Sequence, residues 1–296
     1  MITKHDINNG SFDNTFGNNG VCHIPHTTSS QLGLHIYNNN LFVSYHISGQ
    51  LAVAKVNSQG ILDQNYGGLN VDRFEFGDPN VSERYVDSDV LQNTLYIMAE
   101  RTQNNQLIVA AVNLATPQGQ LVSSFNGGIT TVNIPNSTQV YPSSLSVTSN
   151  GIFLVGEVYD NSNQGNIFVV KINPSNGNPY PNFAINGIFR QNLLQGDTPE
   201  IPQDCTVDSQ GRIYVVGTLD TDTSSQLKHD GFLIRLTPTG VLDISIAPNG
   251  VYRIKDVKGP NAYDRLYSIF IMGNSIFVTG YSAISSDADS ITIRLD

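Results

Sequence analysis

The chain has no tryptophan, two cysteines and three methionines, and charged residues fill only 14% of its 296 positions. Charge this sparse argues against long amphipathic helices, whose solvent faces are normally rich in Lys, Glu and Arg. Basic residues are the scarcer sign, with 15 Lys and Arg against 25 Asp and Glu and a net charge of −10. No basic run is present, so the electrostatic attraction from which nucleic-acid binding starts is missing, as is a polybasic membrane anchor. No stretch approaches the ~18 apolar residues of a membrane span, and membrane insertion is not expected. The opening MITKHDINNGSFDNTFG lacks the apolar core of a secretory signal in the chain as given. Cys22 and Cys205 lie in different repeats and read as separate small core residues rather than a disulfide.

Catalytic motifs are also lacking. There is no G-x-S-x-G and no phosphate-binding glycine loop. His23 and His26 would point to opposite faces of a strand, and His229 has no Cys or His cluster around it. Asp220-Thr-Asp222 begins like a calcium loop but lacks the turn glycine and the distal Glu. No cofactor and no metal are therefore expected.

What the chain has is a repeat. Hydrophobic residues make up 39% of it, enough for a large core, and glycine (26) and asparagine are frequent. One apolar strand recurs five times: LFVSYHI (41–47), LYIMAER (95–101), IFLVGEV (152–158), IYVVGTL (213–219) and IFVTGYS (276–282). A second follows each: LAVAKVN (51–57), LIVAAVN (107–113), IFVVKIN (167–173), FLIRLT (232–237) and ITIRLD (291–296). The spacing is about 50 to 60 residues, and the strands are apolar on both faces, as when a sheet is buried between two neighbours.

The expected fold is therefore all-β: a five-bladed β-propeller with four-stranded blades, as one domain over 1–296. Strands A to D of the third blade are expected near 142–148, 151–158, 166–173 and 187–193. The C-terminus ends on a C strand, and the N-terminal FDNTFGNNG and VCHIPH would supply the strand that closes the last blade. Lys55, Lys171, Arg235 and Arg294 share one place in the second strand, where the second repeat has Ala111. A residue repeated in each blade serves the blade, here by pairing with a connector carboxylate such as Asp63 or Asp243.

The connectors, Leu62-Asp63 with Tyr66-Gly67 and Phe12-Asp13 with Phe16-Gly17, resemble the delta-sixty repeat family. The third and fourth connectors are looser. The resemblance implies a propeller-like fold in mainly bacterial, often surface or secreted proteins, and no fixed chemistry.

Function is expected on variable loops held by the rigid frame. Those loops carry Asp78, Glu83, Asp160, Asp197, Glu200, Asp220, Asp222, Asp256, Asp287 and Asp289, an acidic set suited to a basic protein or to cations. Innermost strands would bring His35, Asp87, Asp89, Ser144, Ser146, Asp204, Thr206, Arg265 and Ser268 towards a central channel, where a small polar ligand could sit. The main expectation is a non-catalytic binding or protein-interaction scaffold; candidate partner or ligand residues are Asp87, Asp89, Asp204, His35, Asp197, Glu200, Asp220 and Asp222. One alternative is a glycoside hydrolase-like enzyme using Asp87, Asp89, Asp204 and Asp264, with 13 tyrosines in place of tryptophan as sugar platforms. Another is a structural repeat module of a bacterial surface protein.

Overall fold

The computed structural model describes residues 1–25, 31–162, 164–193, 199–220 and 229–296. The fold is all-β and built from propeller blades, as the sequence leads one to expect. The chain divides into two compact units, Met1–Val132 and Asn133–Asp296. In the first, β1 (Ile2–Thr3) pairs with β2 (Val21–Cys22). One sheet follows from β3 (Gly33–Tyr37), β4 (Asn40–Ile47), β5 (Gln50–Val56) and β6 (Arg73–Phe76), and a second from β7 (Glu83–Leu91), β8 (Thr94–Arg101), β9 (Gln106–Asn113) and β10 (Ile129–Val132). The second unit holds β11 (Gln139–Thr148), β12 (Gly151–Tyr159), β13 (Gly165–Ile172) and β14 (Ile188–Gln191) in one sheet. The next comprises β15 (Glu200–Val207), β16 (Ile213–Asp220), β17 (His229–Leu236) and β18 (Val251–Ile254). The last has only β19 (Tyr263–Met272), β20 (Ser275–Ile284) and β21 (Asp287–Leu295).

Each blade is an antiparallel meander in the order A to D, and the third matches its expected strands within a few residues. Closure differs from expectation. The N-terminal strands pair with each other, and the last sheet has three strands. The reason lies in the repeat itself. Lys4, directly after β1, bridges Asp13 at 2.7 Å, as Lys55 on β5 bridges Asp63 at 3.0 Å. β1 and β2 are thus a C and D pair of their own, and they pack on the outer part of the β3–β6 sheet through Phe16, Cys22, Val43 and Ala54.

The central strands read as apolar runs because both faces are covered: every residue of Leu95–Glu100 and Leu107–Val112 is buried. In the first three blades an aromatic at the second place of the B strand meets one from its own connector. Phe42 lies edge-on to Tyr66 at 5.7 Å, Tyr96 to Phe125 at 5.5 Å and Phe153 to Phe183 at 6.2 Å. The repeated cation sits over this pair. Lys55 bridges Asp63 and Arg235 bridges Asp243 at 2.6 Å, as expected. The third connector has no acid there, and Lys171 instead stands over Phe153, Tyr180 and Phe183, where burial pushes its pKa down.

Every A strand from β7 onward carries a bulge, at 86, 143, 203 and 267. In the last three blades the bulge presses against a B-strand glycine. A Cβ on Gly156, Gly217 or Gly280 would collide with the carbonyl oxygen of Tyr141, Ile201 or Arg265 respectively. Glycine is needed there for space, not for a left-handed backbone.

Phe153→Ala should cost roughly 3–5 kcal/mol of stability, the usual range for emptying a buried aromatic site, as read by urea denaturation. Its side chain is fully buried between the β12 and β15–β18 layers. A loss below about 1 kcal/mol would mean that the aromatic and cation stack does not hold the blade.

Candidate functional site

The bulge sets the register of a buried carboxylate three residues before it. That place holds Glu83 in β7, Val140 in β11, Glu200 in β15 and Asp264 in β19. The three acids are 0–1% exposed. They fasten the incoming loop. Glu200 Oε1 accepts from the Leu193 N–H at 2.5 Å, and Asp264 Oδ2 from the Val257 N–H at 3.3 Å. Glu83 accepts from Arg101 Nε at 3.1 Å, although burial still pushes its pKa up.

Two B strands add an acid at their outer end. Glu100 is neutralised by Arg84 at 2.5 Å. Glu157, 8% exposed on β12, has no cation partner among the described residues. It accepts hydrogen bonds from the Tyr159 hydroxyl and the Glu200 main-chain N–H. Its Oε1 remains buried without a partner among the described residues. Burial pushes the Glu157 pKa above the usual carboxylate range, and the two hydrogen bonds offset this only in part. Tyr159 is pushed up as well, by burial and then by Glu157. Its ring stands edge-on to Tyr141 at 5.9 Å, and Tyr141 is half exposed. The ends of β11, β12 and β15 thus gather a protonatable carboxyl, a second carboxyl on Glu200 and an open tyrosine pair.

The expected site residues make the following contacts. His35 Nε2 contacts Ser88 Oγ at 2.7 Å within a chain that includes Ser44 and Tyr85, and burial lowers its pKa. Asp87 and Asp89 each accept from the N–H of the following residue. Asp204 is a clasp between successive A strands. It accepts from Ser144 Oγ at 2.9 Å, Cys205 N at 2.8 Å, Ser268 Oγ at 2.8 Å and Ile269 N at 2.9 Å. Its lone pairs are committed, so it is a poor base or nucleophile. Asp220 ends β16, while Asp197, Asp222 and His26 lie outside the described residues. His229, set aside in the sequence, is buried with Nε2 3.0 Å from Arg265 Nη2. Neither cysteine is in a disulfide, and both are buried. No cluster of three metal-ligating side chains occurs among the described residues.

No family model matches the sequence, and no curated protein matches it. Solved structures similar to the chain include the β-propeller domain of the Trilobed protease from Pyrococcus furiosus, with TM-score 0.40, 8% identity, 90% of this chain and 72% of that one covered. An endo-arabinase from Bacteroides thetaiotaomicron aligns with TM-score 0.39, 8% identity and coverage of 93% and 98%. A GH43_1 enzyme from Xanthomonas citri aligns with TM-score 0.25, 10% identity and coverage of 92% and 89%. At these scores the likeness carries no argument about chemistry.

The expectation of a non-catalytic scaffold is nevertheless corrected. Glycoside hydrolases are among the similar structures, and the feature of this chain that turns the reading towards the carbohydrate-active alternative is the buried acid Glu157. Several of the acids expected on the loop face are buried or paired. Glu83 and Glu200 are interior, and Asp287 and Asp289 are engaged by Lys258 at 2.7 and 2.9 Å. Asp160 lies 3.8 Å from Arg190. Sequence reasoning missed Glu157, although a lone acid inside the apolar run IFLVGEVY was a usable signal.

Because the folded protein holds the Glu157 proton more tightly than the unfolded chain, this group adds stability that is complete below the ordinary glutamate pKa. That stability is lost as pH rises towards the elevated folded value. Glu157→Gln should therefore flatten the decline of melting temperature across that window and be the more stable form at neutral pH. Parallel pH profiles for the two proteins would contradict the assignment.

Proposed function

We propose that the protein is a carbohydrate-active enzyme in which Glu157 is the general acid of glycosidic bond cleavage. The observation that carries this reading is a buried carboxyl without a cation partner among the described residues, beside the half-buried Tyr159 and the exposed Tyr141. A general acid must hold its proton near the working pH, which burial without a cation achieves. Glycoside hydrolysis uses such an acid to protonate the departing oxygen while a second carboxylate stabilises or attacks the sugar. Glu200 is the second carboxyl of the strand end, and its main-chain N–H already orients Glu157. Tyr141 and Tyr159 supply a ring face and hydroxyls for a sugar, the role tryptophan would otherwise take. This places the acid outside the inner-strand set Asp87, Asp89, Asp204 and Asp264, of which Asp204 is a clasp between strands. Descent from the delta-sixty repeat family, on the connector residues, belongs to the same proposal.

The test is release of reducing ends from a panel of polysaccharides. Arabinan and xylo-oligosaccharides come first, since arabinase and xylose-bound structures occur among the similar folds. Wild-type activity should fall as pH passes the elevated Glu157 pKa, and Glu157→Gln should lose roughly 10²–10⁴-fold in rate. Tyr141→Ala should raise KM more than it lowers kcat. An inert wild type across the panel, or a fully active Glu157→Gln variant, would sink the reading.

A further inference from the structure

We infer that the protein associates head to tail, the free face of its last sheet seating on the inner part of the first sheet of a second copy. The repeat defines what such a face should meet. Leu34 on β3 pairs with Val43; the same place in later blades is Ser88, Leu145, Cys205 and Ile269, each paired to the matching B-strand residue. Those four are 5–8% exposed, whereas Leu34 is 48% and its strand neighbour Ile36 is 73% exposed. The N-terminal C and D pair covers only the outer part of the β3–β6 sheet. Beside β3 it leaves an apolar groove of about 360 Å³, lined by Ile2, Phe16, Leu34, Ile36 and Leu41 among others.

The last sheet presents the complementary half. In the third blade, Phe153 shares one core cluster with Cys205, the counterpart of Leu34 in the blade above it. Phe277 is the counterpart of Phe153 but has no connector aromatic above it, and it stacks instead on Phe270 at 5.0 Å and 7°. Phe270 is 47%, Met272 65% and Tyr267 45% exposed on the same sheet. A blade face of this kind is therefore open at one end of the repeat series, and the seat for such a face is open at the other. Packing Phe270, Met272 and Phe277 over Leu34 and Ile36 continues the blade-on-blade contact already formed inside each unit. β21 would then compete for the C-strand place held by β1, which is two residues long. The contact is heterologous, since each copy offers two different faces.

Sedimentation velocity across a wide concentration range tests this. The wild-type mass should rise with concentration. Ile36→Asp and Phe270→Asp, both at exposed positions, should each weaken association by about tenfold or more, as loss of an apolar anchor does. Circular dichroism serves as the check that both remain folded. A mixture of the two variants should form dimers and nothing larger, because each keeps one intact face and the two intact faces are complementary. A wild type that stays monomeric at all concentrations would overturn the inference, including one whose two faces meet within a single chain. So would association that neither variant weakens, or a mixture that stays monomeric.

Discussion

The contact on which the structure depends is that between a connector and the turn of the following repeat, made twice in the first unit and once in the second. Gly17 donates its N–H to Gln59 O at 2.6 Å, Gly119 to Tyr66 O at 2.9 Å and Ala184 to Thr239 O at 2.7 Å. A Cβ on Gly60 would strike the Gly17 backbone, one on Gly119 the Phe74 ring and one on Gly240 the Phe183 and Ala184 atoms. The glycine of these three turns is therefore a spacing requirement imposed by the preceding repeat. Once this contact forms, the connector aromatic is pinned over the B strand and the cation is held above it. The connector acid then has one place to go. Ser245 and Arg235 together hold the Asp243 pKa down at about 2, with Ser245 the larger influence.

Much of this frame was legible because it repeats. A cation at one place in four C strands and an acid at one place in the connectors announced the Lys55–Asp63 and Arg235–Asp243 pairs before any coordinates. Strand positions were legible for a similar reason, since burial on both faces leaves uninterrupted Val, Ile and Phe. The A strands were harder. Their bulges insert one residue into the alternation, and an insertion of one residue exchanges the faces of everything beyond it. Glu83 and Glu200 consequently read as loop acids in SERY and TPEIP but fold inward, three residues ahead of the bulge. The recurrence of an acid at that offset in three blades was a signal, visible once the bulge fixes the register.

The same reasoning separates structural carboxylates from the one given a chemical role. Glu83, Glu100, Asp208 and Asp230 face a guanidinium, and Asp204 collects four donors. Each such group has a cation or several hydrogen-bond donors set against its carboxylate. Glu157 is buried to a similar degree yet faces a tyrosine and a main-chain N–H. A carboxyl left this way favours its protonated form. Protonated, it can donate to an oxygen brought against the Tyr141 and Tyr159 pair.

The most direct measurement is a carbon-13 NMR titration of the side-chain carboxyls in wild type and in Glu157→Gln. The expected result is a glutamate resonance that titrates clearly above the ordinary carboxylate range and vanishes in the variant. If the resonance lost in Glu157→Gln titrates at the ordinary glutamate value, Glu157 is an anion at working pH and cannot be the acid.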